Sequence, residues 1–146
     1  GLACAGDLVV VTRESQFALT ETTLGIAPAQ IAPFVVQRLG LSAARRLMLT
    51  AARFDGEEAQ RIGLADQVVD DVDALDEAEL KIRAGVMRCA PGANAMTKEL
   101  VLAAARLEPQ AMLDLAAERF AEGMLSDEGR EGISAFIEKR KPSWSD

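Results

Sequence analysis

Glu21 is the residue whose type and position best suit it to chemistry. It lies between a short apolar segment and a turn rich in glycine and proline, within QFALTETTLGIAPAQIAPFVVQRLG, residues 16–40. A carboxylate at such a junction is easily directed into a pocket, because the flanking elements are rigid and the loop gives access. It could then accept and return a proton. A solvated turn acid is the alternative, and position alone favours it.

Composition limits the other chemistry that this chain could perform. It has no histidine, and its two cysteines, Cys4 and Cys89, lie far apart without further ligands at metal-binding spacing. A histidine-activated nucleophile and a histidine-based metal site are therefore excluded within the chain. Neither a zinc site nor a disulfide is indicated, and both cysteines are predicted to be reduced and packed in the core. Acid–base chemistry must use carboxylates, lysine or water.

The charge pattern narrows the class of partner. A net charge of -7 argues against nucleic acid or an anionic membrane as the main partner, since phosphate binding needs a local basic excess. The exception is a basic cluster formed by Lys139, Arg140 and Lys141. No segment approaches transmembrane length and no signal peptide is recognisable, so a cytoplasmic location is expected.

The elements that position Glu21 follow from local patterns. Residues 8–11, LVVV, have the composition of a strand buried on both faces, and residues 16–19 are predicted as a second short strand. A helix is expected from about Gln30 or Pro33 to Leu39, ending at Gly40, and a further helix from Ser42 to Thr50.

The second half of the chain is predicted to be helical. Asp55 and Glu58 form a capping-box pattern before a short helix that ends at Gly63, and residues 66–69 return to a strand. After Asp70 the pattern is helical almost to the end, with helix starts at Pro109 and Ser126. We therefore predict a helix-rich α/β chain with a boundary at residue 70, giving regions 1–70 and 71–146.

These segments, in this order, resemble the C-terminal part of the crotonase, or enoyl-CoA hydratase/isomerase, superfamily. The matching segments are GLACAGDLVV, QFALTETTLGIAP, QRLG, LTAARFDGEEAQRIGLADQVV, TKEL and EGISAFIEKRKPSW. Each is weak alone, and their order and spacing make the resemblance specific. The segment APAQIAPFVVQRLG is most similar to the branch that hydrates branched glutaconyl-CoA thioesters.

The resemblance implies the last turns of a spiral of ββα units over residues 1–70 and a helical trimerisation region over residues 71–146. A homotrimer, or a hexamer of two stacked trimers, is the implied assembly. It also implies roughly a hundred residues upstream, which would carry most of the spiral. One of the two backbone donors that stabilise the enolate is expected in that part, and the other just before Gly1.

For chemistry, the resemblance implies an acyl-CoA substrate, with no cofactor beyond the coenzyme A of the substrate itself and no metal. Ordinary hydratases use two glutamates around one water; the second matches Glu21, whereas the first falls on Gly1. Glycine can neither hold the water nor exchange a proton. Three alternatives stay open: a hydratase in which another group positions water, an isomerase that needs Glu21 alone, and a non-catalytic truncated oligomerisation module.

The resemblance further assigns substrate contacts. Lys139 matches a lysine that reaches the phosphates of CoA, with a solvated helix end as the alternative. Phe120 and Phe136 match aromatic residues near the bound acyl or adenine portion, but for both we favour packing in the core. Pro28 and Gln30 are weaker candidates for shaping the acyl pocket. Arg45 and Arg46 are expected on a solvated face or at a subunit contact.

Overall fold

The computed structural model describes residues 1–145. The chain divides into two compact units, the first from Gly1 to Leu80 and the second from Lys81 onward. The division falls inside a helix and lies further along the chain than Asp70, where the composition changes.

The first unit contains a short parallel strand pair. Helix α1 (Leu2–Ala5) ends at Gly6, and strand β1 (Val10–Thr12) runs parallel to β4 (Gln67–Val69), with Val11 opposite Val68. Val9 and Val11 are buried in a cluster with Ala59, Leu64 and Ala65, but Val10 is only half-buried, so the predicted burial on both faces was wrong for one of them. The strand begins at Val10, two positions later than predicted, and Leu8 is exposed.

A second strand pair precedes Glu21. Strand β2 (Phe17–Ala18) runs antiparallel to β3 (Arg53–Phe54), and the rings of Phe17 and Phe54 stack with centroids 5.4 Å apart. Strand β2 was predicted from its apolar run. The sequence gives no comparable signal for β3, which is two residues long and exists through its pairing with β2.

The first unit also contains four helical segments after β2. They are the 3₁₀ helix Glu21–Leu24, α2 (Ala32–Thr50), α3 (Gly56–Arg61) and the first part of α4 (Val72–Met87). The two helices predicted around Gly40 are one helical segment broken at that glycine, whose φ of 74° and ψ of 165° are not helical. Asp55 caps α3 as predicted, since its Oδ1 accepts a hydrogen bond from the Glu58 N–H at 2.9 Å.

The second unit consists of the rest of α4 with α5 (Pro91–Ala104), α6 (Pro109–Leu125) and α7 (Asp127–Glu138). Helix α6 packs against both α5 and α7. The start of α6 at Pro109 and the Ser126 cap of α7 are as predicted; Ser126 Oγ accepts from the Gly129 N–H at 2.9 Å, and α5 also begins at a proline. None of the described helices is long and apolar enough to cross a membrane.

Two packing predictions for this unit were wrong. Cys89 is exposed, because it follows the end of α4, whereas Cys4 is half-buried against the core. Phe120 and Phe136 are 71% and 85% exposed, so neither packs in a core. Helices α5 and α6 contain no buried residue, which leaves their apolar side chains accessible.

Candidate active site

Glu21 is the first residue of the 3₁₀ helix that follows β2. The helix is one short turn because Gly25 adopts a left-handed conformation, with φ 76° and ψ 16°, which glycine takes without steric penalty. The Glu21 carbonyl accepts a hydrogen bond from the Ile26 N–H at 3.2 Å, which closes the turn. The backbone around the carboxylate is therefore held on both sides.

The carboxylate of Glu21 has an unsatisfied oxygen. Its Oε2 is buried and has no hydrogen-bond partner among residues 1–145. Buried polar atoms in folded proteins are nearly always hydrogen-bonded, and an exception needs an explanation such as a functional role. Together with the position of Glu21 at a loop, this observation favours a working carboxylate over a solvated turn acid.

Two threonines fix the helix that carries Glu21. Thr22 Oγ1 donates to the Met48 carbonyl of α2 at 3.3 Å, and Thr23 Oγ1 donates to the Thr20 carbonyl at 2.7 Å. Thr22 also borders an apolar hollow of about 300 Å³ beside α2. Pro28, one of the predicted acyl-pocket residues, lines this hollow, whereas the exposed Gln30 does not.

Gly1, where the resemblance places a missing glutamate, lies against α2. It precedes α1, and a Cβ atom added to it would lie 2.5 Å from Ile31 Cγ2 and 3.0 Å from Ile31 Cβ. Ile31 is the N-terminal cap residue of α2. Gly1 also lines a cavity of about 60 Å³ with Leu19, which lies two residues before Glu21.

Arg38 ties α2 to the elements around it. Its guanidinium donates to the Gly6 carbonyl at 3.1 Å, the Gly63 carbonyl at 3.2 Å, the Leu64 carbonyl at 3.1 Å and Asp66 Oδ2 at 2.8 Å. The side chain of Arg38 is 14% exposed.

Asp66 is the charged partner in this arrangement. Burial opposes its ionisation, but the Val9 N–H, 2.7 Å from Asp66 Oδ2, and the Arg38 guanidinium together hold the pKa of Asp66 below its usual value. The carboxylate thus joins the approach to β1 with α2, the helix that begins beside Gly1.

The predicted CoA contacts lie in the second unit. Phe120 lines an apolar groove of about 710 Å³ between α5, α6 and α7, and Phe136 is not among the lining residues. Lys139 ends α7 in a left-handed conformation, with φ 54° and ψ 37°, and is exposed. Its neighbour Arg140 is engaged by Glu131 and Glu138 within the same unit.

Three residues of this region were not singled out from the sequence: Thr22, Ile31 and Arg38. The partners of Thr22 and Arg38 include backbone carbonyls, which carry no sequence signal. Ile31 appeared as an ordinary apolar residue of the turn. Within residues 1–145 no group of three or more acidic, cysteine or histidine side chains is placed to hold a metal ion.

Comparison with known proteins agrees with the segment pattern. The enoyl-CoA hydratase/isomerase family model matches residues 1–146. Among solved structures, Pseudomonas aeruginosa AtuE is 53% identical with a TM-score of 0.97, and the matched region covers 100% of this chain and 57% of the AtuE chain. An enoyl-CoA hydratase/isomerase from Marinobacter aquaeolei is 43% identical with a TM-score of 0.96, over 99% of this chain and 55% of its own.

The chain is also similar in sequence to a curated relative, mevalonyl-coenzyme A hydratase sidH of Aspergillus fumigatus. It is 31% identical over 144 residues, which are 94% of this chain and 52% of the relative. The chain belongs to the crotonase, or enoyl-CoA hydratase/isomerase, family and has the fold of its C-terminal part. It spans about half the length of the relatives it matches.

Proposed function

We propose that the whole protein carrying this chain adds water to the conjugated double bond of an acyl-CoA thioester, with Glu21 as its acid–base group. The observation that carries this proposal is the buried Oε2 of Glu21, which has no partner among the described residues of a chain from this family. A substrate or a water held by the substrate would supply that partner. The hydratase name of the Aspergillus fumigatus relative agrees with this type of reaction.

The reaction can be written with one carboxylate. Glu21 removes a proton from water as the water oxygen bonds to the β-carbon, and the π electrons move to the thioester oxygen as an enolate. The proton on Glu21 then transfers to the α-carbon, which re-forms the carbonyl and regenerates the carboxylate. Backbone N–H donors at the enolate oxygen, which we place outside residues 1–146, would supply a large share of the catalysis.

For the substrate we propose a branched glutaconyl-CoA thioester, so that the activity is that of an isohexenylglutaconyl-CoA hydratase. The support is the segment APAQIAPFVVQRLG and the glycine at position 1. The extra carboxylate of such a substrate could help to position the water that a single glutamate must activate. Coenzyme A enters as part of the substrate, with Lys139 at its phosphates and Phe120 and Phe136 near its acyl or adenine portion.

A second candidate reaction is the isomerisation of 3-enoyl-CoA to 2-enoyl-CoA. The observation that favours it is Gly1, because moving one proton along the acyl chain needs one carboxylate and no water. We further propose that the whole protein is cytoplasmic and forms a homotrimer or a hexamer. Light scattering on the purified protein would measure the mass of this assembly.

Glu21→Gln in the whole protein tests the proposal. We expect hydration of a branched enoyl-CoA to fall by about 10²–10⁴-fold, because the amide cannot exchange the proton, while affinity for CoA is nearly unchanged. Glu14→Gln is the matched control, since Glu14 is an exposed glutamate on the preceding loop. Near-full turnover of Glu21→Gln would exclude Glu21 as the acid–base group. Conversion of 3-enoyl-CoA without hydration would instead favour the isomerase.

A further inference from the structure

The 3₁₀ helix that carries Glu21 depends on one hydrogen bond to a distant part of the chain. It spans only Glu21–Leu24, and 3₁₀ turns of this length have hydrogen bonds of poorer geometry than an α-helix. The described hydrogen bonds of residues 20–31 have partners within residues 20–35, with one exception. The Thr22 hydroxyl donates to the Met48 carbonyl of α2, 26 positions along the chain, at 3.3 Å.

The Met48 carbonyl can accept this bond because of the way in which α2 ends. Ala51 has φ 49° and ψ 38°, a left-handed conformation that is uncommon for a residue other than glycine. The N–H groups of Ala51 and Ala52 both donate to the Leu47 carbonyl. In a continued α-helix the Ala52 N–H would donate to Met48 instead. The left-handed residue thus leaves the Met48 carbonyl for the hydroxyl of Thr22.

The bond holds the residue that directly follows Glu21. A shift of Thr22 therefore moves the backbone that carries the carboxylate. The Oε2 atom of Glu21 has no partner among the described residues, so its position depends on that backbone rather than on a bond of its own. Thr22 is exposed, so water can replace its hydroxyl with little loss of overall stability. The bond is thus better suited to placing Glu21 than to stabilising the fold.

We propose that Thr22 is a positioning residue, whose bond to Met48 sets the place of Glu21 relative to α2. This inference rests on the proposed function, in which Glu21 moves the proton. An acid–base group must lie within hydrogen-bond reach of its proton, and a displacement of about 1 Å can cost on the order of a hundredfold in rate. Thr22 donates to a carbonyl and takes no part in proton transfer, so it acts through Glu21.

Amide hydrogen exchange of the whole protein tests the bond without any substrate. Thr22→Val keeps the branched shape and removes the hydroxyl, whereas Thr22→Ser keeps the hydroxyl. The Gly25 and Ile26 N–H groups, which close the turn, should exchange about twofold to tenfold faster in Thr22→Val, as expected for the loss of one ordinary hydrogen bond. They should exchange at nearly the wild-type rate in Thr22→Ser. Unchanged exchange in Thr22→Val would refute the bond's role in holding the turn.

A kinetic double-mutant cycle tests the positioning role. Thr22→Val should lower kcat for a branched enoyl-CoA by about tenfold with KM nearly unchanged, and Thr22→Ser should restore most of the turnover. In the Glu21→Gln background, Thr22→Val should lower the residual turnover by about twofold at most, because residue 21 then exchanges no proton. Equal losses from Thr22→Val in the two backgrounds would overturn the positioning role, since a purely structural effect lowers both turnovers alike.

Thr50→Val is the matched control. Thr50 is an exposed β-branched residue at the end of α2, and its hydroxyl donates within that helix to the Arg46 carbonyl at 2.6 Å. The variant should leave kcat and the exchange of the turn near their wild-type values. A loss of kcat as large as in Thr22→Val would overturn the specific role of Thr22. Glu21→Gln alone reports on the proposed function, whereas hydrogen exchange reports on the bond of Thr22 alone, so the two can fail separately.

Discussion

Arg38 should be the side chain on which the placement of α2 depends most. It donates to the carbonyls of Gly6, Gly63 and Leu64 and to Asp66 Oδ2, so that one guanidinium joins the end of α1, the turn after α3 and the approach to β4. Arg38→Ala removes all these bonds and leaves the acceptors with no replacement from the side chain.

The expected loss of stability in Arg38→Ala follows from the exposure of Arg38 and of its partner Asp66. Hydrogen bonds to charged groups contribute about 1.5–3 kcal/mol each, but bonds from a single guanidinium are not additive. Arg38 is 14% exposed whereas the Asp66 side chain is 46% exposed, so solvent replaces part of what is lost. We therefore expect Arg38→Ala to reduce local stability by about 2–4 kcal/mol, less than the sum of its bonds.

Native-state amide hydrogen exchange of the whole protein measures this loss. The Val9 N–H, which donates to Asp66, should exchange about thirtyfold to a thousandfold faster in Arg38→Ala, the factor that corresponds to 2–4 kcal/mol. Arg38→Lys should lie between, because an ammonium keeps the charge but not the fork of donors. Arg45→Ala, an exposed arginine of the same helix, is the matched control. Equal exchange in Arg38→Ala and Arg45→Ala would refute the reasoning.

Three further predictions concern the stability of each unit in the whole protein. Glu128→Ala should destabilise α5 by about 1–2 kcal/mol in urea unfolding, since the Glu128 carboxylate accepts a hydrogen bond from the Gly92 N–H at 3.1 Å. Glu128→Gln keeps one oxygen acceptor, so it should reduce the free energy of unfolding by less. Equal losses in the two variants would contradict this prediction. Ala51→Gly should raise stability by about 0.5–1 kcal/mol, because residue 51 has φ 49°; a lower melting temperature would argue against strain there. The Arg140 guanidinium lowers the pKa of Glu131 to about 2, so the ionised Glu131 stabilises the fold fully above its ordinary pKa of 4.5, and this stabilisation is lost as pH falls from 4.5 towards 2. Glu131→Gln should therefore reduce the fall in melting temperature over that pH range. An equal fall in the wild-type protein and in Glu131→Gln would exclude the linkage.

Local signals predicted the elements that local chemistry determines. Asp55 and Ser126 cap α3 and α7, and Pro109 begins α6, because a cap or a fixed φ acts within one helical turn. Helices on both sides of Gly40 were predicted and are confirmed, and they follow one another directly across that glycine, whose φ of 74° and ψ of 165° are not helical. Burial of α2 on both sides of the break, at Val35 and Leu47, accounts for that continuity.

Features that depend on distant partners could not be predicted. Strand β3 forms because residues 53 and 54 meet β2, and the stack of Phe17 on Phe54 is invisible in either segment alone. Cys89 and Phe120 are residue types common in protein cores, but both lie on the surface of their unit. Residue type alone does not say which face of a helix packs against another element.

The features of the candidate site also fall into those that the sequence indicated and those that only the structure shows. Glu21 was singled out from its type and its place between a strand and a turn, but its acid–base role was predicted from the family resemblance and stays a prediction. Its buried Oε2, which has no partner among residues 1–145, is a three-dimensional fact that the sequence does not contain. The contact between Gly1 and Ile31 likewise needs coordinates. The roles of Lys139, Phe136, Gln30 and the other predicted substrate contacts stay predictions.

The central claim is that Glu21 carries the proton that reaches the α-carbon, and the most direct measurement follows that proton. The whole protein is incubated with a branched enoyl-CoA in D₂O, and deuterium at the α-carbon of the product is followed by NMR. The wild-type protein should place one deuterium there during hydration, and Glu21→Gln should slow this by about a hundredfold or more while thioester affinity is kept. Deuterium incorporation at the wild-type rate in Glu21→Gln would contradict the account.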